Sequence, residues 1–530
     1  MRIALIATPY PLEEAPSPPL GLAYAAAACE AAGATVRIFD FIVSKYSADK
    51  LEAILDSFRP DVVGAGSVTM NQRQAERIIK DAKRIMPSAI TLMGGPHVSF
   101  DIEGTFRSCP ELDIIVKGEG EQTLQELIPA LEDRGAWHGI RGIAFRSDGD
   151  IVVTGPRELI HDLDSLPLPA RHLLPVSRYL ALGYPVSIIT SRGCPNKCIF
   201  CLGRRMVGFK GRFRNPGLVV DEIEHILSLG FTRINVADDL FTANKARVRE
   251  LCDEIKRRGV KFGWSAFARV NTVDLETLKI MRETGCDCVS FGIESGNPEM
   301  LKRIRKGITL EQARNAVTWC KEADIMPHAS FMVGLPGETK ETLHQTQAFA
   351  DELSIAYGYH FFSPFPGTTV REELEAYDIK LLTDDWSRYD ANSPVVQTSG
   401  LSPEDMTAFV AVYDEFNAQI WEETERNVRM GTCTDREYLL VEGNRKLKLV
   451  YRVLSEDLIE ESTCPKQDGS DPVELLSASV ARRTSTDPVF THKVLKDFSD
   501  AGYLRYTLRD GQYHYYWTHN KAIDTLPVSS

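Results

Sequence analysis

"PVSIITSRGCPNKCIFC", residues 185–201, decides how this chain is read. An apolar run of strand type leads into Cys194, Cys198 and Cys201, three cysteines within eight positions of a chain that has only 11 in 530 residues. Gly193 and Pro195 break the backbone on either side of the first cysteine, and Phe200 stands before the last. A structural zinc site takes four ligands, usually from paired knuckles, and no second cysteine pair lies nearby. A catalytic thiol needs no companions. A four-iron four-sulfur cluster held by three thiolates suits the spacing and leaves one iron open to another ligand. A structural knuckle or chance clustering is the remaining alternative.

The chain around this motif is of ordinary soluble composition, 43% hydrophobic and 25% charged. Its length argues for two to four domains. The net charge of −13 speaks against a strong non-specific grip on nucleic acid or anionic lipid. "MRIALIATPYP" carries too short an apolar run for a signal peptide, and no stretch approaches the roughly 20 apolar residues of a membrane span. The other cysteines are scattered and the total is odd, which does not suggest a disulfide framework. The expected setting is a reducing cytoplasm.

Strand and helix patterns alternate from the start. "RIALIAT", "TVRIFDF", "DVVGAGS", "AITLMGG" and "LDIIVKG" read as strands, with helical patterns between them. Near-continuous apolar strands mean a parallel sheet covered on both faces, here a flavodoxin-like domain over 1–150. Ligands of such sheets sit beyond the carboxyl ends of the strands. There stand "TPYP", "SVTMNQ", "GGPHVS" and "KGEGE". A proline-rich linker over 151–184 follows, then a second alternating series over 185–390, about six strand-helix units forming a partial (β/α)6 barrel. Residues 391–530 are mainly helical, with "YLRYTLRDGQYHYYWT" as a hairpin around Asp510 and Gly511. Asp487 and Pro488 open a helix just before it, and together these elements look like a winged helix. Arg482, Arg483, Lys493 and Lys496 cluster there; in a net acidic chain they read as a solvated face in preference to a nucleic-acid surface.

The cysteine spacing, with its aromatic before the last cysteine and its place after an α/β strand, resembles the radical S-adenosylmethionine (SAM) superfamily. The resemblance covers roughly 180–390. It implies that Cys194, Cys198 and Cys201 hold the cluster, that SAM chelates the open iron, and that an electron, from ferredoxin or flavodoxin, cleaves SAM to a 5′-deoxyadenosyl radical. Phe200 would lend its backbone to the adenine. "ADDLFT" stands where the family binds the SAM ammonium, and one of Asp238 and Asp239 would make that charge-assisted contact; the other reading is a cap on the following helix. "FGIESG" resembles the ribose-binding strand end, with Glu294 and Ser295 facing the hydroxyls. "FMVGLPGET" resembles the adenine-side turn at Gly334, with Glu338 one place later than the commonest pattern. Arg269, ending "WSAFAR", is the candidate for the SAM carboxylate, against a solvent-facing or capping arginine.

The first domain lacks a Gly-x-Gly-x-x-Gly after its first strand, which weighs against a dinucleotide. Its turns resemble the cobalamin-binding domain upstream of many radical SAM domains: Ser67 and Thr69 match the hydroxyl motif after the third strand, and Gly94 and Gly95 the close approach after the fourth. The Asp-x-His-x-x-Gly motif that gives cobalt a histidine elsewhere is absent, and "TPYPLEEAPSPPLGLAY" stands in its place. His97 lies in the wrong loop for that task and reads as a plain loop residue. A degenerate domain without cobalamin is the alternative.

The resemblance implies a cobalamin-dependent radical SAM enzyme that methylates an unactivated carbon of a small-molecule, lipid or peptide substrate. Ring formation or oxygen insertion, as in the anaerobic cyclase of bacteriochlorophyll synthesis, is the second enzyme reading. A nucleic-acid-binding sensor of redox state or SAM is the rival of another class. "YHFFSPFPGTTV" and "YDANSPVV" suggest either an aromatic-lined cavity near the lower end of the barrel or plain core.

Overall fold

The computed structural model describes residues 1–466 and 469–519. The first sheet is built from β1 (Arg2–Ala7), β2 (Thr35–Asp40), β3 (Val62–Gly66), β4 (Ile90–Gly94), β5 (Ile114–Val116), β6 (Ile143–Ser147) and β7 (Asp150–Val153). Its order is β2-β1-β3-β4-β5-β6-β7. The five leading strands are parallel, and β6 and β7 add an antiparallel edge that carries the sheet past residue 150. Of "RIALIA" in β1, all but the first residue are buried, as a strand covered on both faces requires. The order turns between β1 and β3, so the crevice beyond their carboxyl ends is the place for a ligand. The alanine-rich helix Leu20–Ala31 lies along this edge with Ala23, Ala26, Ala27 and Ala28 buried.

The second sheet contains β8 (Val186–Ile188), β9 (Arg233–Val236), β10 (Gly263–Ala268), β11 (Cys286–Glu294), β12 (Met326–Val333) and β13 (Ala356–Phe361), in simple sequential order and all parallel. Helices cap each return: Asn244, Asp274 and Thr309 accept backbone N–H bonds at the starts of the helices after β9, β10 and β11. β8 and β13 do not pair with each other, so the barrel is open, as its six-unit pattern predicts. Tyr413 of the helix Pro403–Met430 stacks on Tyr357 of β13 with ring centres 4.8 Å apart and covers that edge. Phe362, Tyr389, Val395 and Val396 are buried, so the two apolar stretches near the lower end are largely core, not cavity wall.

The tail has the winged-helix order: helix Asp435–Ser455, β14 (Thr463–Pro465), helices Pro472–Thr484 and Pro488–Asp500, then β15 (Leu504–Arg509) and β16 (Gln512–Trp517). Residues 520–530, the end of the expected C-terminal domain, lie outside the described residues. Two of the four basic residues are neutralised, Arg483 by Glu461 and Lys496 by Asp500. Arg178, 1% exposed, ties the tail to the first domain: it reaches Asp457 at 3.5 Å, pairs with Glu460 and donates to the Val43 carbonyl at 2.8 Å.

Candidate active site between the two sheets

The cysteine loop leaves β8 through Gly193, whose φ is +106°. A Cβ there would stand 2.3 Å from the Lys210 carbonyl oxygen, so only glycine turns the chain at this point. The loop is held from both ends: Cys194 N donates to the Gly208 carbonyl at 3.1 Å and Ile199 N to the Ile304 carbonyl at 3.2 Å. Donors face the sulfurs. Asn196 Nδ2 is 3.3 Å from Cys194 Sγ, and Arg269 Nη1 is 3.5 Å from Cys198 Sγ. Such contacts favour thiolates. Three thiolates on one loop suit a cubane cluster with one iron left open.

The two aspartates separate into different tasks. Asp238 accepts from Thr190 N and Thr190 Oγ1, both at 2.6 Å, and from Ser191 Oγ at 2.7 Å; it fastens the end of β9 to the cysteine loop. Burial pushes its carboxyl up, against those hydrogen bonds. Asp239 accepts from Gly193 N at 3.0 Å and shares a wall at Gly203 with Cys201 Sγ. Neither caps the following helix, which Asn244 does.

Glu294 ends β11 with φ +73° after a shift of register, and its carboxylate meets Lys306 Nζ at 2.6 Å, both side chains 8% exposed. Lys306 also lies 5.6 Å over the Phe200 ring. Arg269 is buried beside Cys198 and donates to the Lys306 carbonyl, so it is neither solvent-facing nor a cap. Lys306 escaped the sequence reading; the basic run "KRIRKG", beginning six residues after the ribose motif, was its only signal. Ser295 is fully buried, its hydroxyl placed 3.1 Å from Thr346 Oγ1 and accepting from Asn297 N at 3.1 Å, so it serves the turn after β11. Gly334 N donates to Glu338 Oε2 at 2.7 Å, and Leu335 N to the same oxygen at 3.1 Å. Burial pushes the Glu338 carboxyl up to about 8.

A cavity of about 510 Å³ opens at the carboxyl edge of the first sheet. One wall holds Gly66, Ser67, Gly94 and Gly95; the other holds Ser191, Arg192, Met206 and Asp239 of the second domain. Gly66 is bare toward it: an added Cβ would find only Leu22 Cδ1, at 3.9 Å. Gly95 borders the cavity and is also held to glycine by its own backbone. Its φ is +117° and a Cβ would stand 2.3 Å from the Ser67 carbonyl oxygen. Ser67 Oγ donates to Gln72. Thr69 is not part of the cavity wall; its hydroxyl is 3.2 Å from His97 Nδ1. His97 is no loop residue. It lies in the short helix Pro96–Phe100, buried edge-on against Trp386, and burial lowers its imidazole to about 4. Among the described residues no histidine lines the cavity. The flat, mostly apolar slot with hydroxyls at its rim fits a corrin.

An ionic seam joins the walls. Arg192, two residues before Cys194, meets Glu121 at 2.5 Å and Glu119 at 3.2 Å, and Arg212 meets Glu119 at 2.7 Å. Both carboxylates come from "KGEGE", the turn after β5.

Comparison with known proteins agrees with this arrangement. Residues 14–128 match the B12 binding domain and residues 188–350 the radical SAM superfamily. An uncharacterised methyltransferase of Pyrococcus horikoshii, PH0819, is 36% identical over 75% of this chain and 88% of its own length. The anaerobic magnesium-protoporphyrin IX monomethyl ester cyclase of Cereibacter sphaeroides is 32% identical over 73% of this chain and 64% of its own. Among solved structures, the cobalamin-dependent SAM radical enzyme OxsB superposes with a TM-score of 0.66 at 17% identity, over 94% of this chain and 84% of that one. The methyltransferase TsrM of Kitasatospora setae does so with 0.63 at 20% identity, over 77% and 89%. With both domain matches on one chain and a relative that shares nearly its whole length, the protein belongs to the cobalamin-dependent radical SAM enzymes.

Proposed function

We propose that the protein methylates an unactivated carbon of a small-molecule, lipid or peptide substrate. The observation that carries this is the shared cavity: the slot of the first sheet faces Ser191, Arg192, Met206 and Val207, the residues that flank the cysteine loop of the second, across one space. When bound, the cluster and SAM supply a radical that takes a hydrogen atom from substrate, and cobalamin supplies the methyl group. Cys194, Cys198 and Cys201 hold the cluster, with Arg269 and Asn196 donating toward sulfur. Asp239 is the acid left to meet the SAM ammonium, because Asp238 is fully engaged elsewhere. Glu294 and Lys306 form the charged pair beside Phe200 that receives the ribose and carboxylate end. Gly66, Ser67 and Gly94 shape the slot for cobalamin. The curated relatives include a hopanoid C-3 methylase of Methylococcus capsulatus and a cytidylyl-2-hydroxyethylphosphonate methyltransferase of Streptomyces wedmorensis, which supports methyl transfer. A cluster that must be reduced to act suits a reducing cytoplasmic setting, with ferredoxin or flavodoxin as the proposed donor.

The test uses protein made with hydroxocobalamin, reconstituted anaerobically, and SAM carrying a trideuterated methyl group. Extract of the source cells is the substrate pool. A product heavier by one labelled methyl group is expected. A product that instead loses hydrogens without gaining label would establish ring formation, the reading the cyclase relative favours. Absence of SAM cleavage would overturn both.

A further inference from the structure

The barrel's inner face carries side chains that neither the cluster nor the SAM contacts use. Residues of β10, β11 and β12 alternate between buried positions under the surrounding helices and positions open to the lumen, while the edge strand β13 buries only Phe361. Phe267, 52% exposed in the middle of an inner strand, marks the open side. Register then gives the lumen in rows. Phe267 lies opposite Ser290, and Ser290 opposite His328. In the next row Gly292 lies opposite Ser330, and Ser330 opposite Gly358. Met332 lies opposite His360 above them.

This space has a floor and a roof. Below, Arg233 and Asp287 pair through two contacts, 2.6 and 2.7 Å, across Gly263. Above, the Glu294–Lys306 pair fills the place where Gly292 would carry a side chain. At Gly358 a Cβ would meet nothing within 4 Å, so the wall is hollow there. Both carboxylates at the ends of this space are thus neutralised by their own cations. His328, His360 and Ser330 make no side-chain hydrogen bond among the described residues. Burial and then the charge of His360 lower the His328 imidazole. His328 and Ser330 are half-buried and His360 is exposed on the edge strand, so their polar groups are open to an external partner.

We propose that this hollow, formed by Ser290, His328, Ser330 and His360 around Gly358, binds an oxyanion group of the substrate, a carboxylate or a phospho group. Ring N–H and hydroxyl groups border the gap, Ser290 sharing a hydrogen bond with Cys288, and among the described residues no unpaired carboxylate opposes an anion. The inference rests on the proposed function, and it narrows the substrate to an acid anchored in the lumen.

Residue-resolved carbethoxylation of the loaded enzyme tests it. Diethyl pyrocarbonate modifies neutral imidazoles, and peptide mass spectrometry reads each histidine, with exposed His172 as reference. The probes are inorganic phosphate, acetate, neutral acetamide, and sodium chloride at matched ionic strength. Phosphate or acetate at ten times its Kd should slow modification of His328 and His360 about tenfold, the unbound fraction setting the rate. Protection by phosphate alone assigns a phospho group; protection by acetate alone assigns a carboxylate. Gly358→Val, which fills the hollow, should abolish the anion effect. No protection by either anion, or equal protection by acetamide, overturns the proposal. Uncoupled SAM cleavage, measured on the same wild-type sample, reports separately on the proposed function.

Discussion

Lys306 concentrates the logic of the site in one side chain. Its ammonium neutralises Glu294 at 2.6 Å, lies over Phe200, and its carbonyl holds Arg269. Removing it leaves a buried carboxylate unpaired beside the SAM position. Lys306→Ala and Glu294→Ala should each weaken SAM binding by about 1–3 kcal/mol, the usual loss at a charged hydrogen bond. The double variant should lose less than the sum, because the partners are one unit. Calorimetric titration with SAM checks this, and unchanged affinity in both single variants would remove the pair from the site. Glu338 shows the opposite economy: its carboxyl is held neutral. In the fold it keeps its proton to about pH 8, whereas in the unfolded chain it ionises near its ordinary 4.5. The unfolded state therefore binds fewer protons across that window, and stability declines from about pH 4.5 to 8, by up to roughly 1.4 kcal/mol per pH unit. Glu338→Gln keeps an acceptor for Gly334 and Leu335 and removes this titration. Its melting temperature should gain on that of wild type as pH rises from 5 to 8. Parallel profiles would show that Glu338 does not titrate this way.

At the scale of elements, each glycine has to be read by what its missing side chain would touch. Gly66 and Gly95 both border the slot, yet they answer differently. Gly66→Leu should project into the cavity and abolish cobalamin retention, with the iron content and SAM cleavage kept. Gly95→Ala should impair folding, because its Cβ would collide with the Ser67 carbonyl. Visible absorbance of bound cobalamin beside iron analysis separates the two, and a Gly66→Leu protein that still retains about one equivalent would move the cofactor out of this slot. The parallel strands, their helices and the cysteine loop were legible in the sequence because continuous apolar runs, caps and close cysteine spacing are local signals. The surroundings of Thr69, Ser295 and His97 were not legible because their partners are distant in sequence: His97 for Thr69, Thr346 for Ser295, Trp386 for His97. The lumen row of Ser290 and His328 was hidden for a related reason. Strand alternation names the two faces, but register alone says which residues become neighbours.

In the whole molecule, what matters is how the cobalamin slot is held against the cysteine loop. Arg192 and Arg212 on one side and Glu119 and Glu121 on the other are nearly buried. Burying such charges is expensive, and replacing a whole pair by apolar residues is often neutral, whereas breaking it costs about 3–5 kcal/mol. Stability alone therefore does not explain a seam of this kind; a fixed register between two cofactor sites does. Arg192→Met alone should destabilise the protein by about 3–5 kcal/mol in denaturant unfolding, because Glu121 is left buried and charged. Arg192→Met with Glu121→Leu should recover most of that loss. The recovered protein should still yield less methylated product for each SAM cleaved, since the loop carrying Cys194 no longer has a directional anchor on the turn after β5. Both quantities come from one anaerobic assay, with 5′-deoxyadenosine and methylated product counted by mass spectrometry. If the double variant regains stability and the full product ratio, the seam is packing that happens to be charged, and registration of the two sites must come from elsewhere, with the Arg178 contacts to the tail the next place to cut.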